Sequence, residues 1–276
     1  MNRLSTKQRA QIIAALVEGN SIRATCRMTG AAKGTVLKLL TDIGKACAVY
    51  QDKVFRNLKC GRIQCEEIWS FCYAKAKNVP EEKHGQFGYG DVWTWTAICA
   101  DTKLVPTWMV APRTAEAAKD FINDLSERLA NRVQLTTDGN KVYVDAVEDA
   151  FAGNIDYAML VKMYGNEGSS SPEARYSPAE CTGTRIAKIN GNPDPKHVST
   201  SFAERQNLTM RMSMRRFTRL TNAFSKKIEN LMHAVSLHFM YYNFARIHQT
   251  LRVTPAMEAG ITDRVWSVKE IAGLLD

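Results

Sequence analysis

Arg62-Ile63-Gln64-Cys65-Glu66-Glu67-Ile68-Trp69-Ser70-Phe71 alternates as a strand does. Ile63, Cys65, Glu67 and Trp69 share one face, while Gln64, Glu66, Ile68 and Ser70 share the other. The two adjacent carboxylates therefore point opposite ways, and one of them serves any given site. Downstream, Val79 to Gly85 reads as a loop. Two more strands follow, Trp93 to Ala100 and Val105 to Ala111, joined by Asp101-Thr102-Lys103 as an antiparallel hairpin.

Thr114 caps an amphipathic helix that runs to about Ala130, with Ala118, Phe121, Ile122, Leu125 and Leu129 inward. Val133 to Thr137 is a short strand that ends in Asp138-Gly139. A helix from Val142 to Ala152 and a strand from Tyr157 to Met163 complete the series. Three strands, helix, strand, helix, strand, helix is the element order of an α/β ribonuclease H-like domain, a mixed sheet flanked by helices. Acids at strand tips of such sheets gather at one edge, beside a crevice.

Residues 165–200 lack periodicity, with Ser169-Ser170-Ser171-Pro172 and Gly191-Asn192-Pro193-Asp194-Pro195, and read as a long surface loop. From Ser201 the chain turns helical and basic. Between Glu204 and Lys227 the acid is Glu204, against Arg205, Arg211, Arg215, Arg216, Arg219, Lys226 and Lys227. Helical spacing puts Glu204, Leu208, Arg211 and Arg215 on one face. The apolar, aromatic run from Val235 to Phe244 is expected to pack inward, and His248 to sit at a capped helix end.

Upstream, Ser5-x-x-Gln8 is a capping-box start to a helix with Ile12, Ile13, Leu16 and Val17 inward. Ser21 caps a short second helix, Thr29-Gly30 makes a turn, and a third helix begins near Ala32 with Val36, Leu39, Leu40 and Ile43 inward. This small all-α unit reads as a helix-turn-helix, with Lys33, Thr35 and Lys38 near the start of the recognition helix. The expected division is a helix-turn-helix over 1–45, a linker over 46–60, a catalytic domain over 61–252, and a helical tail over 253–276.

The formal net charge is +9, unevenly spread. Residues 1–45 hold eight Lys/Arg against two acids and residues 200–252 nine against two, whereas 46–199 hold eighteen against twenty. Two basic regions around a nearly neutral centre are the footprint of a polyanion binder. The seven cysteines are odd in number and lack C-x2-C spacing, so reduced structural thiols are expected. No apolar run approaches the length of a membrane span, and Met1 to Lys7 lacks a secretory signal's apolar stretch. A cytoplasmic, nucleoid-associated protein is the expectation.

Glu66 within a strand, Asp138 at a strand tip and Glu204 at the head of a basic helix fit a two-metal phosphoryl-transfer site. Two divalent ions about 3.5–4 Å apart activate the nucleophile and stabilise the leaving oxygen in an in-line displacement. Hard ions such as Mg²⁺ take oxygen ligands, so a few carboxylates suffice.

These residues also carry a resemblance. Glu67-Ile68-Trp69-Ser70-Phe71, Thr137-Asp138-Gly139, Glu204-Arg205-Gln206-Asn207-Leu208-Thr209-Met210-Arg211, Asn243-Phe244-Ala245-Arg246-Ile247-His248 and Thr254-Pro255-Ala256-Met257 look like bacterial insertion-sequence-1-type transposases of the DDE group. The resemblance covers nearly the whole chain. It implies a ribonuclease H-like fold and two Mg²⁺ or Mn²⁺ ions held by Glu66, Asp138 and Glu204. It also implies DNA cutting at inverted repeats and joining of the freed 3′-hydroxyl to target DNA. The implied partners are double-stranded DNA, both transposon ends and target, and further copies of the chain in synapsis. Arg205, Arg211, Arg215, Arg216 and Arg219 are then expected on phosphates.

The chain departs from the pattern at the first acid, where relatives carry Asp and this sequence carries Glu66. The extra methylene moves the carboxylate by about a bond length, and a misplacement of order 1 Å costs about 100-fold. The N-terminal zinc-binding cysteines of some members are also missing. A domesticated or impaired transposase acting as a DNA-binding protein, and a nuclease that cuts without joining, stay open as alternatives.

Overall fold

The structure, a computed structural model, describes residues 4–165, 181–218 and 221–276. Three helices open it. In α1 (Thr6–Val17) the Gln8 amide donates to Ser5 Oγ at 3.3 Å and the Ser5 amide to Gln8 Oε1 at 3.0 Å, the expected reciprocal cap. Ser21 caps α2 (Ile22–Thr29), which ends at Gly30 with φ 71°, a left-handed turn that glycine adopts without a Cβ penalty.

The third helix corrects the expected linker at 46–60, because α3 runs unbroken from Lys33 to Val54. Its buried face continues past Ile43 through Gly44, Cys47 and Gln51, residues too small or too polar to show an apolar period. Gln51 Nε2 donates to the Cys47 carbonyl at 3.0 Å and to the Ser236 carbonyl at 3.2 Å. The stretch after the helix is pinned as well, since the Leu58 amide donates to the Arg128 carbonyl and the Ala130 amide to the Leu58 carbonyl.

The sheet contains β1 (Arg62–Cys72), β2 (Gly90–Cys99), β3 (Thr107–Ala111), β4 (Gln134–Asp138), β5 (Asp156–Tyr164) and β6 (Cys181–Asn190) in the order β3-β2-β1-β4-β5-β6. β1 is antiparallel to β2 and parallel to β4, with Glu66 opposite Thr96 and Cys65 opposite Thr137. β4 is parallel to β5, which sets Asp138 beside Leu160. The first five strands in this arrangement, with α4 (Ala115–Arg128) and α5 (Val142–Phe151) between them, make a ribonuclease H-like sheet.

β6 corrects the long loop expected over 165–200. It pairs antiparallel with β5 at the sheet edge, and a short 3₁₀ turn, Pro195–His197, follows it. Most of its side chains face solvent, so it shows none of the apolar alternation that marks a half-buried strand. Ser169 to Pro172 lie outside the described residues.

α4 and α5 cover one sheet face, where Trp95 meets Phe121 and Tyr143 edge-on or tilted. On the other face, α6 (Ser201–Ser213) and α7 (Ile228–Phe244) pack against Ile68, Val92, Ile98 and Val110. The alternation in β1 accounts for this division, with Ile63 and Cys65 on the first side and Ile68 on the second. α3 lies on α7, and a Cβ at Gly44 would fall 2.5 Å from the His233 Cβ. The Gly44 carbonyl accepts from Ser236 Oγ at 2.7 Å. The tail forms α8 (Pro255–Glu258) and α9 (Val268–Gly273), and α9 returns to α1, where Arg9 bonds the Ala272 carbonyl and Asp276. The seven cysteines are free, and Cys47, Cys60, Cys65, Cys72 and Cys99 are buried. No described helix is long and apolar enough to cross a membrane.

Candidate active site

Glu66, Glu67, Asp138 and Glu204 line one open cleft of about 940 Å³ at the end where β4 stops. Glu66 and Glu67 leave opposite faces of β1, yet both line this cleft, because β4 ends at Asp138 and β1 is unpaired on that side beyond Cys65. One acid per site was the expectation from alternation, and the early end of β4 removes that restriction.

Each acid has a defined setting. Glu66 accepts from Asn207 Nδ2 at 3.3 Å and lies 3.7 Å from Lys162 Nζ. Burial pushes its carboxyl up to about 7; Lys162 opposes the rise, and Asp138, Glu204 and Glu67 add to it. Glu67 pairs with Arg113 at 3.0 Å. Its carboxyl is raised by burial against the Tyr143 hydroxyl and the Arg113 guanidinium. Asp138 closes β4 with an Asx turn, its Oδ1 accepting from the Asn140 amide at 2.9 Å, and its Oδ2 lies 3.5 Å from Arg113. Glu204 sits in the first turn of α6, where a carboxylate also suits the helix dipole. Its Oε1 accepts from Lys162 Nζ and Thr200 Oγ1, both at 2.5 Å. Burial raises the Glu204 carboxyl, but those two bonds outweigh it and hold the group below its ordinary value.

Two cations thus stand among four acids. Lys162 bridges Glu66 and Glu204, and Arg113 bridges Glu67 and Asp138. Sequence reading missed both, along with Asn207. Lys162 ends an apolar strand and Arg113 sits in a turn, so neither carries a period that marks it. The available signal is parallel pairing, since Lys162 lies two residues beyond Leu160, the partner of Asp138.

The donor set suits a hard cation. Carboxylates supply four of its residues, with Asn140, Asn207 and Tyr164 as further oxygen donors; among the described residues no Cys or His lines it, and Asn207 Oδ1 is buried without a hydrogen-bond partner. Among the described residues no three ligand-type groups stand close enough to hold one ion together. Glu66 and Glu204 share Lys162 instead, so a divalent ion held by both acids would have to displace the ammonium.

The basic residues do not share one face. α6 ends at Ser213, and Met214 is extended with φ −135°. Met214 and Phe217 turn the chain off the helix axis by burying themselves against the sheet. Arg211 stays on the cleft, whereas Arg215 leaves it, which corrects the expected face of Glu204, Leu208, Arg211 and Arg215. Arg216 is drawn inward, where burial lowers its guanidinium to about 10. Arg205 points into a different groove, and Arg219 lies outside the described residues. At the start of α3, Lys33 and Lys38 are exposed and Thr35 half-buried, with Lys38 paired to Asp42 at 2.6 Å. His248 is in a turn rather than at a helix end; its amide donates to the Val253 carbonyl.

No protein-family model matches the chain, and no curated protein matches it in sequence. Among solved structures, a piggyBac transposase synaptic complex with hairpin DNA overlaps at a TM-score of 0.43 and 9% identity, covering 98% of this chain and 69% of that one. The Mos1 mariner paired end complex with Mn gives 0.31 and 8%, covering 87% and 77%. A pre-cleavage Mos1 transpososome gives 0.22 and 10%, with the same coverage. Overlaps of this kind carry no functional meaning by themselves.

Proposed function

We propose that this chain is a DNA transposase of the DDE group that cuts at the ends of a mobile element and joins them to new DNA. One observation carries the reading: Glu66, Asp138 and Glu204, from two neighbouring parallel strands and a helix, line a single cleft. Asp138 and Glu204 are the second and third acids and Glu66 the first. When bound, two Mg²⁺ or Mn²⁺ ions supply the charge that activates the attacking oxygen and stabilises the leaving one.

The chain's own residues do the positioning. Thr200 fixes the Glu204 carboxylate, the Asn140 amide fixes Asp138, and Asn207 orients Glu66. Lys162 and Arg113 neutralise the acids in the free protein and are placed to meet phosphate oxygens when DNA enters. Glu66, titrating at about 7, is fully charged only above neutral pH. The three N-terminal helices act as a helix-turn-helix with Lys33, Thr35 and Lys38 toward DNA, and two copies synapse the two ends.

The test is a nicking and joining assay on the inverted repeats that flank the gene, in Mg²⁺ and in Mn²⁺. Asp138→Asn and Glu204→Gln are expected to lower cutting by about 100-fold or more with little change in melting temperature. Glu66→Asp, which withdraws the carboxyl by a methylene, is expected to raise it. Cutting that survives Asp138→Asn sinks the proposal. A second reading is favoured by Glu66 itself, half-buried, long by one methylene and only partly ionised near neutral pH. On that reading the protein binds the repeats without cutting, and activity that appears only in Glu66→Asp supports it.

A further inference from the structure

α6 presents two different stripes. Glu204, Asn207, Leu208 and Arg211 line the acid cleft, whereas Phe202, Arg205, Gln206 and Thr209 line a second groove of about 390 Å³. At 100° per residue these stripes lie roughly 150° apart around the helix. The second groove is closed by Lys103 after β2, by Tyr242 and Arg246 at the end of α7, and by the turn through His248.

Its charge is of one sign. Lys103, Arg205, Arg246 and His248 line it, and among the described residues no Asp or Glu does. The Lys103 ammonium rests 3.6 Å above the Phe202 ring, and Arg246 donates to Ser213 Oγ at 3.2 Å. Asp101, the acid whose charge is felt at Lys103, is already bonded to Arg62. Burial lowers the His248 imidazole, and Lys103, Arg246 and Arg205 lower it further, as expected where three cations face one ring. Like charges held together without a carboxylate are stabilised by an anion with regularly spaced oxygens. Arg205 and Arg246 are both exposed, so a large polyanion can reach them.

We propose that this groove grips the phosphodiester backbone of a second DNA duplex, the one that receives the cut end, while the acid cleft works on the first. The assignment of the second duplex as recipient rests on the transposase reading; the backbone grip does not. Arg205 and Arg246 contact phosphates, and Phe202 and Lys103 form the wall against which the strand lies.

The experiment uses the full chain and a 30-base-pair duplex of arbitrary sequence, titrated across a salt series. For Arg205→Ala/Arg246→Ala the dissociation constant is expected to rise about tenfold, and the slope of log K against log salt to fall by about two, one per lost phosphate contact. Arg205→Lys/Arg246→Lys is expected to keep most of the slope. An unchanged slope in the alanine pair overturns the proposal, as does displacement of the duplex by micromolar pyrophosphate, which marks a small-anion site. On donor ends, the ratio of joined to nicked product is expected to fall in the alanine pair. A preserved ratio with weakened binding overturns the recipient assignment. Wild-type protein that neither nicks nor joins defeats the transposase reading alone, and the salt series still decides the grip.

Discussion

Glu204 and Arg205 are neighbours in sequence, yet they serve opposite sides of α6 and opposite signs of charge. On the Glu204 side four acids are crowded, partly buried and held by two internal cations. On the Arg205 side the bases face an open groove without a lining acid. The first arrangement fixes charge in place at a cost in desolvation, which suits chemistry. The second leaves charge in water, which suits long-range attraction. On the proposed reading, one amphipathic helix thus separates a site that acts from a surface that holds.

The harshest way to break this contrast is to exchange the pair. Glu204→Arg/Arg205→Glu keeps composition and net charge but puts an arginine beside Lys162 and an acid beside Arg246. Cutting is expected to vanish, and affinity for an arbitrary duplex to drop by about tenfold or more. A swap that retains either property shows that the two sides are not separate.

A milder test asks whether both sides share one scaffold. α7 carries Tyr242 into the groove, leads into Arg246, and also receives α3 at Gly44. Gly44→Ala forces the helices apart at His233 and is expected to cost about 1–3 kcal/mol. Thermal melting reads the loss, and loss of duplex binding alone, at an unchanged melting temperature, contradicts a common scaffold.

The smallest effect sharpens the acid side. Glu66 titrates at about 7 in the native chain, above its ordinary value of 4.5, so the folded state holds its proton longer than the unfolded one. Its stabilising contribution is present below about 4.5 and is lost as pH rises through about 7. A divalent ion binds the ionised form and reverses that loss. Mn²⁺ is therefore expected to raise the melting temperature more at pH 8 than at pH 5.5, by roughly 2–4 °C. An equal shift at both values removes Glu66 from the ion's ligands.

Much of this architecture is legible in the sequence because it rests on local rules. Alternation in β1, side-chain caps at Ser5, Ser21 and Thr114, and Asp138 at a strand tip each follow from a few residues. What stayed hidden depends on distant partners. The later half of α3 buries Gly44, Cys47 and Gln51 against α7, and no apolar period reports that. β6 is recognisable only through its pairing with β5. The end of α6 has no glycine or proline to announce it, since Met214 and Phe217 are pulled inward by the sheet. Lys162 and Arg113 acquire meaning only once the acids that they bridge are assembled.

The uninterrupted α3 has a mechanical consequence. Its 22 residues span about 33 Å, from exposed Lys33 to Val54, and Gln51 near its far end is bonded to α7. Because α3 is unbroken and packed along α7, its first turn is held at a set position relative to α7. The angle and distance between the N-terminal helices and the acids at the end of β4 are therefore set like the jaws of a caliper. On the proposed reading, a protein built this way gauges where to act from where it is held.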